Sequence, residues 1–342
     1  MSDDNGGGVK LARKDFQSDQ EVRWCPGCGD YGILAAIQFL LPDLGVKPEE
    51  MVFVSGIGCA ARLPYYMNTY GVHGIHGRAP AIATGVALAR PDLHVWVIGG
   101  DGDMLSIGGN HLIHALRRNV NLKILMFNNQ IYGLTKGQYS PTSELGKVTK
   151  STPFGSLDHP FNPVSVALGA EASFVARTHD MDRKHMMEVF RRAHEHDGAA
   201  FVEVYQNCNV FNDGAFDTIL SKDARPNMLI ELRHGEPVRF GEHQELGVVL
   251  NRFGEAQIVR VDEVADAALL VHDETRSDPA LAFALSRLAD HPTTPTPVGV
   301  FRAVSRPTYD SAMQLQLAEA SSRNGPGDLD ALLRSAPTWT VG

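Results

Sequence analysis

Two short polar motifs in the middle of the chain carry groups that can bind a metal ion and phosphate. Gly100-Asp101-Gly102 ends the apolar run VWVIGG, and Asn128-Asn129 follows the run LKILMF after a gap of 25 residues. Mg²⁺ prefers about six hard oxygen ligands, several of them often from substrate phosphates. Asp101 and Asn129 can each supply an oxygen, and the carbonyl of Ile131 can supply a third. The two glycines let the backbone approach a diphosphate closely.

This pair of motifs is similar to the pattern of thiamine-diphosphate enzymes. The resemblance implies that Asp101, Asn129 and the carbonyl of Ile131 hold Mg²⁺ at the cofactor diphosphate. An isolated Gly-Asp-Gly is more often a simple turn. The spacing of the two motifs and their place after apolar runs therefore carry the interpretation.

Four cysteines form a second candidate site: Cys25, Cys28, Cys59 and Cys208. We find no export signal, so we expect reduced thiols rather than disulfides. Each cysteine lies at the edge of a predicted helix or strand, and in an open α/β sheet their loops can meet at one rim. Four thiolates suit a [4Fe-4S] cluster or a structural zinc ion, and the spacing alone does not distinguish them.

Three other interpretations of the cysteine segments stay open. Trp24-Cys-Pro-Gly-Cys28 resembles a rearranged thioredoxin active site, although no predicted strand precedes it. Gly56-x-Gly58-x-x-Ala61 fits a relaxed dinucleotide fingerprint, but the acid that ends the next strand, Asp101, follows after 45 residues. A ribose-binding acid is expected after about 20. The four cysteines can also be independently buried small side chains.

Such motifs need a scaffold that brings the ends of separate strands together. Short apolar runs typical of buried parallel strands alternate with helical patterns. This alternation predicts an α/β fold, a doubly wound and mostly parallel sheet that binds ligands at the carboxyl ends of its strands. The predicted strands are 51–54, 95–98, 122–127, 173–176 and 201–205, and the predicted helices are 31–41, 80–89, 108–118, 163–168 and 181–196.

We divide the chain into three regions. Residues 1–24 read as a polar arm, 25–220 as the diphosphate- and metal-binding domain that carries the cysteines, and 221–342 as a C-terminal extension. The extension has a weaker pattern, with helices expected at 280–289 and 328–334 and a strand at 298–303. The sequence indicates no role for it.

Composition excludes several classes of protein. The 342 residues, 43% of them hydrophobic, suffice for one large α/β domain with an appendage. A net charge of −9 disfavours nucleic acid as a partner. We find no apolar stretch of signal-peptide or membrane-spanning length, so we expect a cytoplasmic protein without membrane contact.

The thiamine-diphosphate pattern and the four cysteines together resemble the β subunit of 2-oxoacid:ferredoxin oxidoreductases, most closely the 2-oxoglutarate type. The preference for 2-oxoglutarate rests on the segments NNQIYGLTKGQYSPTS and STPFGSLDHPFNP. The resemblance covers a little over half of the chain in six blocks, which are WCPGCGDYG, SGIGCAARLPYY, HGIHGRAPAIATG, GDGDMLSIGGNHLIHALRRN, NNQIYGLTKGQYSPTS and QNCNVFND.

The resemblance implies roles for individual residues. Arg62 is expected to grip the carboxylate of a 2-oxoacid with its guanidinium fork, Leu134 to shape the side-chain pocket, and His76 to line the cofactor. The four cysteines are expected to ligate one [4Fe-4S] cluster rather than zinc. The residues expected to contact thiamine diphosphate are Ile57, Gly58, Cys59, Ala60, His76, Gly100, Gly102, Asp103 and Gly133.

Only one half of a thiamine diphosphate site is visible in this sequence, since we find one metal motif and no second block of comparable size. The resemblance implies that an α subunit supplies the pyrimidine half, in an α₂β₂ assembly, and that this chain alone is inactive. It also implies oxidative decarboxylation of 2-oxoglutarate with coenzyme A to succinyl-CoA and CO₂. Electrons would pass through thiamine diphosphate and the cluster to ferredoxin.

Three alternatives to this function stay open at the level of sequence. The first is a β subunit specific for pyruvate or for 2-oxoacids in general. The second is a non-redox thiamine diphosphate decarboxylase or synthase with a structural zinc ion. The third is an electron-transfer subunit with a vestigial thiamine motif, although both Asp101 and Asn129 are intact.

Overall fold

An eight-stranded sheet forms the centre of the chain in the computed structural model, which describes residues 11–290, 294–337 and 339–341. The strands within these residues are β1 Met51–Ser55, β2 Tyr70–His73, β3 His94–Gly100, β4 Lys123–Asn128, β5 Phe174–His179, β6 Ala200–Tyr205, β7 Leu229–Leu232, β8 Arg239–Phe240, β9 Leu246–Leu250, β10 Ala256–Arg260 and β11 Thr296–Ala303. The helices are α1 Asp30–Leu44, α2 Ala79–Ala89, α3 Gly109–Arg118, α4 Pro163–Gly169, α5 Arg183–Glu195, α6 Asp217–Leu220, α7 Arg225–Met228, α8 Ala280–Arg287, α9 Tyr309–Asn324 and α10 Leu329–Leu333.

The main sheet has the order β2-β1-β3-β4-β6-β5-β11-β7. Its first six strands are parallel, whereas β11 pairs antiparallel with β5 and parallel with β7. A separate antiparallel sheet contains β10, β9 and β8. The prediction of an α/β fold with a doubly wound, mostly parallel sheet is confirmed.

Helices cover both faces of the main sheet, because alternate residues of each strand point to opposite sides. Val52 and Val97 pack in one core cluster with α2, α3, α4 and α8. Phe53 and Trp96 pack in the other cluster with α1 and α5. Strands buried on both faces account for the continuous apolar runs in the sequence.

The predicted strands and helices of the first 220 residues are all present, with bounds that differ by a few residues. One expected boundary is wrong, since α1 does not stop at Pro42 but continues to Leu44. Gly45 then ends the helix in the left-handed conformation, with φ of 69°, and its N–H donates to the carbonyl of Pro42. A helix commonly ends at such a glycine. The pattern also missed β2, the antiparallel sheet and α9.

The region 221–342 contributes to the main sheet through β7 and β11. Its helix α9 is mostly exposed and is anchored near its start, where a carboxylate oxygen of Asp310 accepts a hydrogen bond from the N–H of Asn121. The boundary at residue 220 stays a prediction, and the sheet is continuous across it. No helix among the described residues is long and apolar enough to cross a membrane.

A buried ion pair connects neighbouring strands of the main sheet. Arg177 on β5 and Glu203 on β6 are almost fully buried, and Arg177 Nε donates to Glu203 Oε2 at 2.6 Å. The same guanidinium donates to the carbonyl of Pro297 on β11 at 3.2 Å. Three neighbouring strands are therefore connected through one side chain.

Several histidines are held neutral by their surroundings. Burial lowers the pKa of His179, His194 and His196 to about 4, and the nearby Lys123 cation contributes at the last two. His194 lies between other rings, with 4.8 Å between its ring centroid and that of His94. Protonation of these rings therefore opposes the folded state.

We expect the stability that the neutral histidines contribute to the free energy of unfolding to be complete above pH 6.5 and to fall as the pH drops toward 4. Between the unfolded pKa of about 6.5 and the lower folded pKa, the unfolded chain binds more protons, so acid favours unfolding. His194→Phe should weaken this dependence, as measured by urea denaturation at pH 7 and pH 5. His159→Phe, at an exposed position, serves as the control. An identical pH dependence in the wild type and His194→Phe would contradict the assignment.

Candidate cofactor and metal site

One pocket at the carboxyl ends of β1, β3 and β4 brings most of the predicted site residues together. It has a volume of about 170 Å³. Parallel strands deliver their carboxyl ends to one edge of a sheet, which is why loops far apart in sequence meet there. The predicted residues that line it are Ile57, Gly58, Cys59, Ala60, His76, Gly100, Asp101, Gly102, Asp103, Asn129, Ile131, Gly133 and Leu134.

Asp101 is a buried carboxylate that two hydroxyl groups orient. Ser140 Oγ and Thr142 Oγ1 each donate to Asp101 Oδ2 at 2.5 Å. Thr142 Oγ1 also lies 2.9 Å from Asn128 Oδ1, so one hydroxyl contacts both metal motifs. Burial raises the pKa of Asp101 to about 6, although these hydrogen bonds counteract the rise. A cation at this position would stabilise the ionised form.

Asn129 presents its amide in one defined orientation. Its Oδ1 accepts from the N–H of Ile131 at 3.2 Å, and its Nδ2 donates to Gln206 Oε1 at 2.9 Å. The carbonyl oxygen of Ile131, at the pocket wall, receives no hydrogen bond from the residues that the structure describes. A carboxylate, an amide oxygen and a free carbonyl at one pocket fit the oxygen ligands that Mg²⁺ requires.

Asp103 holds the turns on the far side of the pocket. Its Oδ1 accepts from the N–H of Ile57 at 3.1 Å and of Gly77 at 2.7 Å, and lies 2.5 Å from Nδ1 of His76. The carboxylate therefore positions His76 and the backbone after β1. A contact between Asp103 and a diphosphate stays a prediction, and the backbone N–H is the group suited to it.

Two glycines have close neighbours where a side chain would stand. A Cβ atom at Gly102 would lie 2.2 Å from the ring of Tyr132, whose hydroxyl donates to the Gly102 carbonyl at 3.1 Å. A Cβ atom at Gly133 would lie 3.5 Å from Cys208 Sγ and 3.7 Å from Cys59 Sγ. The thiols of Cys59 and Cys208 thus both lie close to Gly133 at the pocket wall.

The loop with Cys25 and Cys28 also reaches this wall. Gln206 Nε2 donates to Cys28 Sγ at 3.3 Å, and Asn209 Nδ2 donates to the carbonyl of Pro26 at 2.6 Å. Burial raises the pKa of Cys28, and it raises that of Cys59 to about 11; the other thiols and Asp30 add to both shifts. All four cysteines are free thiols. Their loops meet at one rim of the sheet, as the sequence predicts.

Within the described ranges, no three His, Cys, Asp or Glu side chains come together in a way that could hold one metal ion. The choice between a zinc ion and an iron-sulfur cluster at the four cysteines stays a prediction.

The 3-10 helix Ala60–Tyr66 follows β1 and carries Arg62. The Arg62 side chain is half-buried, and its Nη1 donates to the carbonyl of Arg23 at 3.2 Å. The structure does not place Arg62 in the pocket wall. The dinucleotide fingerprint at Gly56 requires an α-helix at this point, which the 3-10 helix replaces.

Sequence reasoning missed several residues that shape the site. Asp30 lines the pocket, is buried with no hydrogen-bond partner for either oxygen, and has its pKa raised to about 7 by burial. Ser140, Thr142 and Gln206 lie in the segments NNQIYGLTKGQYSPTS and QNCNVFND, and the sequence gives none of them a role of its own. Hydroxyl and amide residues in loops usually form turns, so their residue types give no signal of another role.

The fold and the pocket define a thiamine diphosphate-binding α/β domain. The family model described as "Thiamine pyrophosphate enzyme, C-terminal TPP binding domain" matches residues 56–204. This range contains every pocket-lining residue except Asp30.

Comparisons with individual proteins show which family within this class the chain belongs to. The chain is 61% identical to "2-oxoglutarate oxidoreductase subunit KorB" of Mycobacterium tuberculosis over 330 residues, covering 96% of this chain and 88% of the relative. It is 47% identical to "2-oxoacid:ferredoxin oxidoreductase subunit beta" of Saccharolobus solfataricus over 56% of this chain and 63% of that one. The structure of "2-oxoglutarate:ferredoxin oxidoreductase from Magnetococcus marinus with 2-oxoglutarate, coenzyme A and succinyl-CoA bound" matches with a TM-score of 0.73 and 32% identity, covering 96% of this chain and 97% of that chain. This protein belongs to the family of 2-oxoacid:ferredoxin oxidoreductase β subunits, which confirms the resemblance seen in the sequence.

We expect Thr142→Val to weaken binding of thiamine diphosphate with its divalent metal by about tenfold to a hundredfold, the usual effect of losing an outer hydrogen bond to a metal ligand. The substitution keeps the shape of the side chain but removes the hydroxyl that contacts both Asp101 and Asn128. Calorimetric titration of the assembled enzyme measures it. Thr152→Val is the control, because the Thr152 hydroxyl lies in the same loop and contacts Thr149. Equal affinities in both variants would show that the hydroxyl does not position Asp101.

Proposed function

We propose that this chain is the catalytic β subunit of an enzyme that oxidatively decarboxylates 2-oxoglutarate with coenzyme A to succinyl-CoA and CO₂, and passes the electrons to ferredoxin. The observation that carries the proposal is the common wall at Gly133, where the thiols of Cys59 and Cys208 adjoin the pocket that holds Asp101 and Asn129. The names of the Mycobacterium relative and of the Magnetococcus structure support 2-oxoglutarate as the substrate.

Each implied cofactor has residues that suit it. Asp101, Asn129 and the carbonyl of Ile131 would hold Mg²⁺, which would offset the negative charge of a diphosphate. Cys25, Cys28, Cys59 and Cys208 would hold a [4Fe-4S] cluster. Thiamine diphosphate, when bound, supplies the carbanion chemistry that cleavage of a 2-oxoacid needs.

The chain's own residues orient the reacting groups. Asp103 accepts from Nδ1 of His76, which leaves Nε2 as the ring nitrogen available to a ligand. The apolar residues Ile57, Ala60 and Leu134 line the pocket and exclude water from its wall. The backbone N–H of Arg62 donates to the carbonyl of Cys59, a residue of the pocket wall, at 3.1 Å. We propose on this ground that the Arg62 guanidinium binds a carboxylate of the substrate.

The pocket supplies only the diphosphate half of a thiamine site. We therefore propose that an α subunit covers it with the pyrimidine half, in an α₂β₂ assembly, and that the active site lies between the two chains. The expected consequence is that neither the β subunit nor the α subunit alone turns over substrate.

A broader specificity for 2-oxoacids is the second candidate function. The Saccharolobus relative is named for 2-oxoacids in general. Turnover of the assembled enzyme with 2-oxoglutarate and with pyruvate, using coenzyme A and a low-potential electron acceptor, distinguishes the two. We expect a kcat/KM for 2-oxoglutarate at least tenfold above that for pyruvate. Comparable values would replace the narrow assignment with the broad one.

We expect Asp101→Ala to abolish magnesium-dependent binding of thiamine diphosphate while the anaerobically purified enzyme keeps its iron and its brown colour. The reason is that Asp101 belongs to the metal ligand set and does not touch a thiol. Titration calorimetry and iron analysis of the complex measure the two properties. Retained affinity for thiamine diphosphate would refute the role of Asp101.

The complementary variant is Cys208→Ser, which should lose the cluster because a hydroxyl is a poor iron ligand. Iron content and visible absorption should fall, whereas binding of thiamine diphosphate persists. Normal iron content in Cys208→Ser would refute its role as a ligand. A colourless, iron-free wild-type enzyme with full activity would instead favour the non-redox alternative.

A further inference from the structure

Gln206 lies between the two candidate cofactor sites. Its side chain is only 1% exposed and follows β6, two residues before Cys208. Its backbone N–H donates to the carbonyl of Asn128, the last residue of β4, at 2.9 Å, which continues the pairing with β4 one residue beyond the end of β6. The backbone of Gln206 is therefore fixed before its side chain makes any contact.

Three polar contacts fix the amide of Gln206 in one orientation. Its Oε1 accepts from Asn129 Nδ2 at 2.9 Å, and its Nε2 donates to the Asn207 carbonyl at 2.5 Å and to Cys28 Sγ at 3.3 Å. The reverse orientation would set two NH₂ groups against each other at Asn129 and two oxygens against each other at Asn207. The hydrogen-bond network thus assigns the amide unambiguously.

This orientation decides what Asn129 presents to the pocket. Because Asn129 Nδ2 is bound to Gln206, its Oδ1 must face the opposite way, where it meets the N–H of Ile131 at 3.2 Å. An amide that binds a divalent cation must offer its oxygen and not its nitrogen. Gln206 is the side chain that enforces this choice.

The other end of the same amide meets a thiol. An N–H group that donates to a cluster sulfur stabilises the reduced cluster, which carries more negative charge, and so raises its reduction potential. Hydrogen-bond donors behind a metal ligand also fix its geometry.

We propose that Gln206 is a positioning residue that couples the two sites, since it orients the metal ligand Asn129 and at the same time donates a hydrogen bond to the cluster ligand Cys28. The inference rests on the proposed function, because it requires both a divalent metal at Asp101 and Asn129 and a cluster at the four cysteines. It adds that a single side chain, that of Gln206, connects the two sites directly.

Two substitutions separate the two ends of the amide. Gln206→Leu removes both contacts. Gln206→Glu keeps an oxygen that can accept from Asn129 Nδ2 but replaces the N–H donor at Cys28. Asn209 offers matched controls. Its amide donates to the carbonyl of Pro26 and so connects the Cys25–Cys28 turn to the segment that contains Cys208. Among the described residues, this amide contacts neither a thiol nor a metal ligand. Asn209→Leu and Asn209→Asp repeat the same changes in size and charge.

The assembled, iron-containing enzyme is tested for two properties other than activity. Its cluster potential is measured by redox titration followed by electron paramagnetic resonance, with Mg²⁺ present. Its affinity for Mn²⁺, used as the probe metal together with thiamine diphosphate, is measured from the free Mn²⁺ signal with the cluster oxidised.

We expect Gln206→Leu to bind Mn²⁺ about tenfold to a hundredfold more weakly and to have a more negative cluster potential. Gln206→Glu should retain Mn²⁺ affinity within about threefold of the wild type and have a more negative potential than Asn209→Asp. The Asn209 variants should leave Mn²⁺ affinity unchanged.

An unchanged potential and unchanged Mn²⁺ affinity in Gln206→Leu would overturn the proposal, as would equal shifts in the matched Asn209 variants. If Gln206→Leu does not retain iron, the test rests on Gln206→Glu. A cluster potential of Gln206→Glu equal to that of Asn209→Asp would then overturn the proposal. A wild-type enzyme without iron would overturn the proposed function instead, so the two failures are distinguishable.

Discussion

Burial of negative charge at one edge of a parallel sheet is the constraint on which the rest of the structure depends. Asp30, Asp101 and Asp103 are 1%, 2% and 3% exposed, and all three line the same pocket beside Cys59. Burial is the main reason that the pKa of Asp30 is raised to about 7 and that of Asp101 to about 6. Taking carboxylates and thiolates out of water is costly unless cations or donors compensate. Such a pocket is suited to positive charge, which the proposed Mg²⁺ would supply.

Rigid support for these groups comes from buried side chains of β5 and β6 that do not line the pocket. Glu203 accepts from Asn128 Nδ2 at 2.7 Å and from Arg177 Nε at 2.6 Å, and Arg177 in turn reaches the Pro297 carbonyl on β11. The orientation of the first asparagine of the metal motif is therefore fixed by a buried charge pair and by a strand of the C-terminal region. This contact gives part of residues 221–342 a structural role that the weak sequence pattern did not indicate.

The sequence was sufficient for the parts of the fold that depend on local pattern. Buried parallel strands such as β3 and β4 are continuous apolar runs, and Asp101 and Asn129 lie in the loops that follow them. The apolar runs therefore predicted the strands, and the motifs at their ends predicted the edge of the sheet where the site lies. The strand β2 could not be found in this way, because most of its residues are exposed and it lacks an apolar run. Ser140, Thr142 and Gln206 were missed for another reason. Their role depends on which side chain each one meets across the fold, and no spacing rule encodes that.

The strand order explains why the two candidate sites are adjacent. Cys59 follows β1, Asp101 follows β3, Asn129 follows β4 and Cys208 follows β6, and these four strands are neighbours in that order. The candidate oxygen ligands therefore follow the two middle strands, and two of the four thiols follow the two outer ones.

Strands β1 and β6 are separated by three steps of the sheet, or roughly 14 Å at the usual spacing. Their loops must therefore bend inward for both thiols to meet Gly133. They do so over the loop that follows β4, where both thiols lie within 3.7 Å of the position that a Cβ atom at Gly133 would take. Gly133 follows Asn129 and Ile131 in the same loop, so we expect a change that moves this loop to act on both candidate sites.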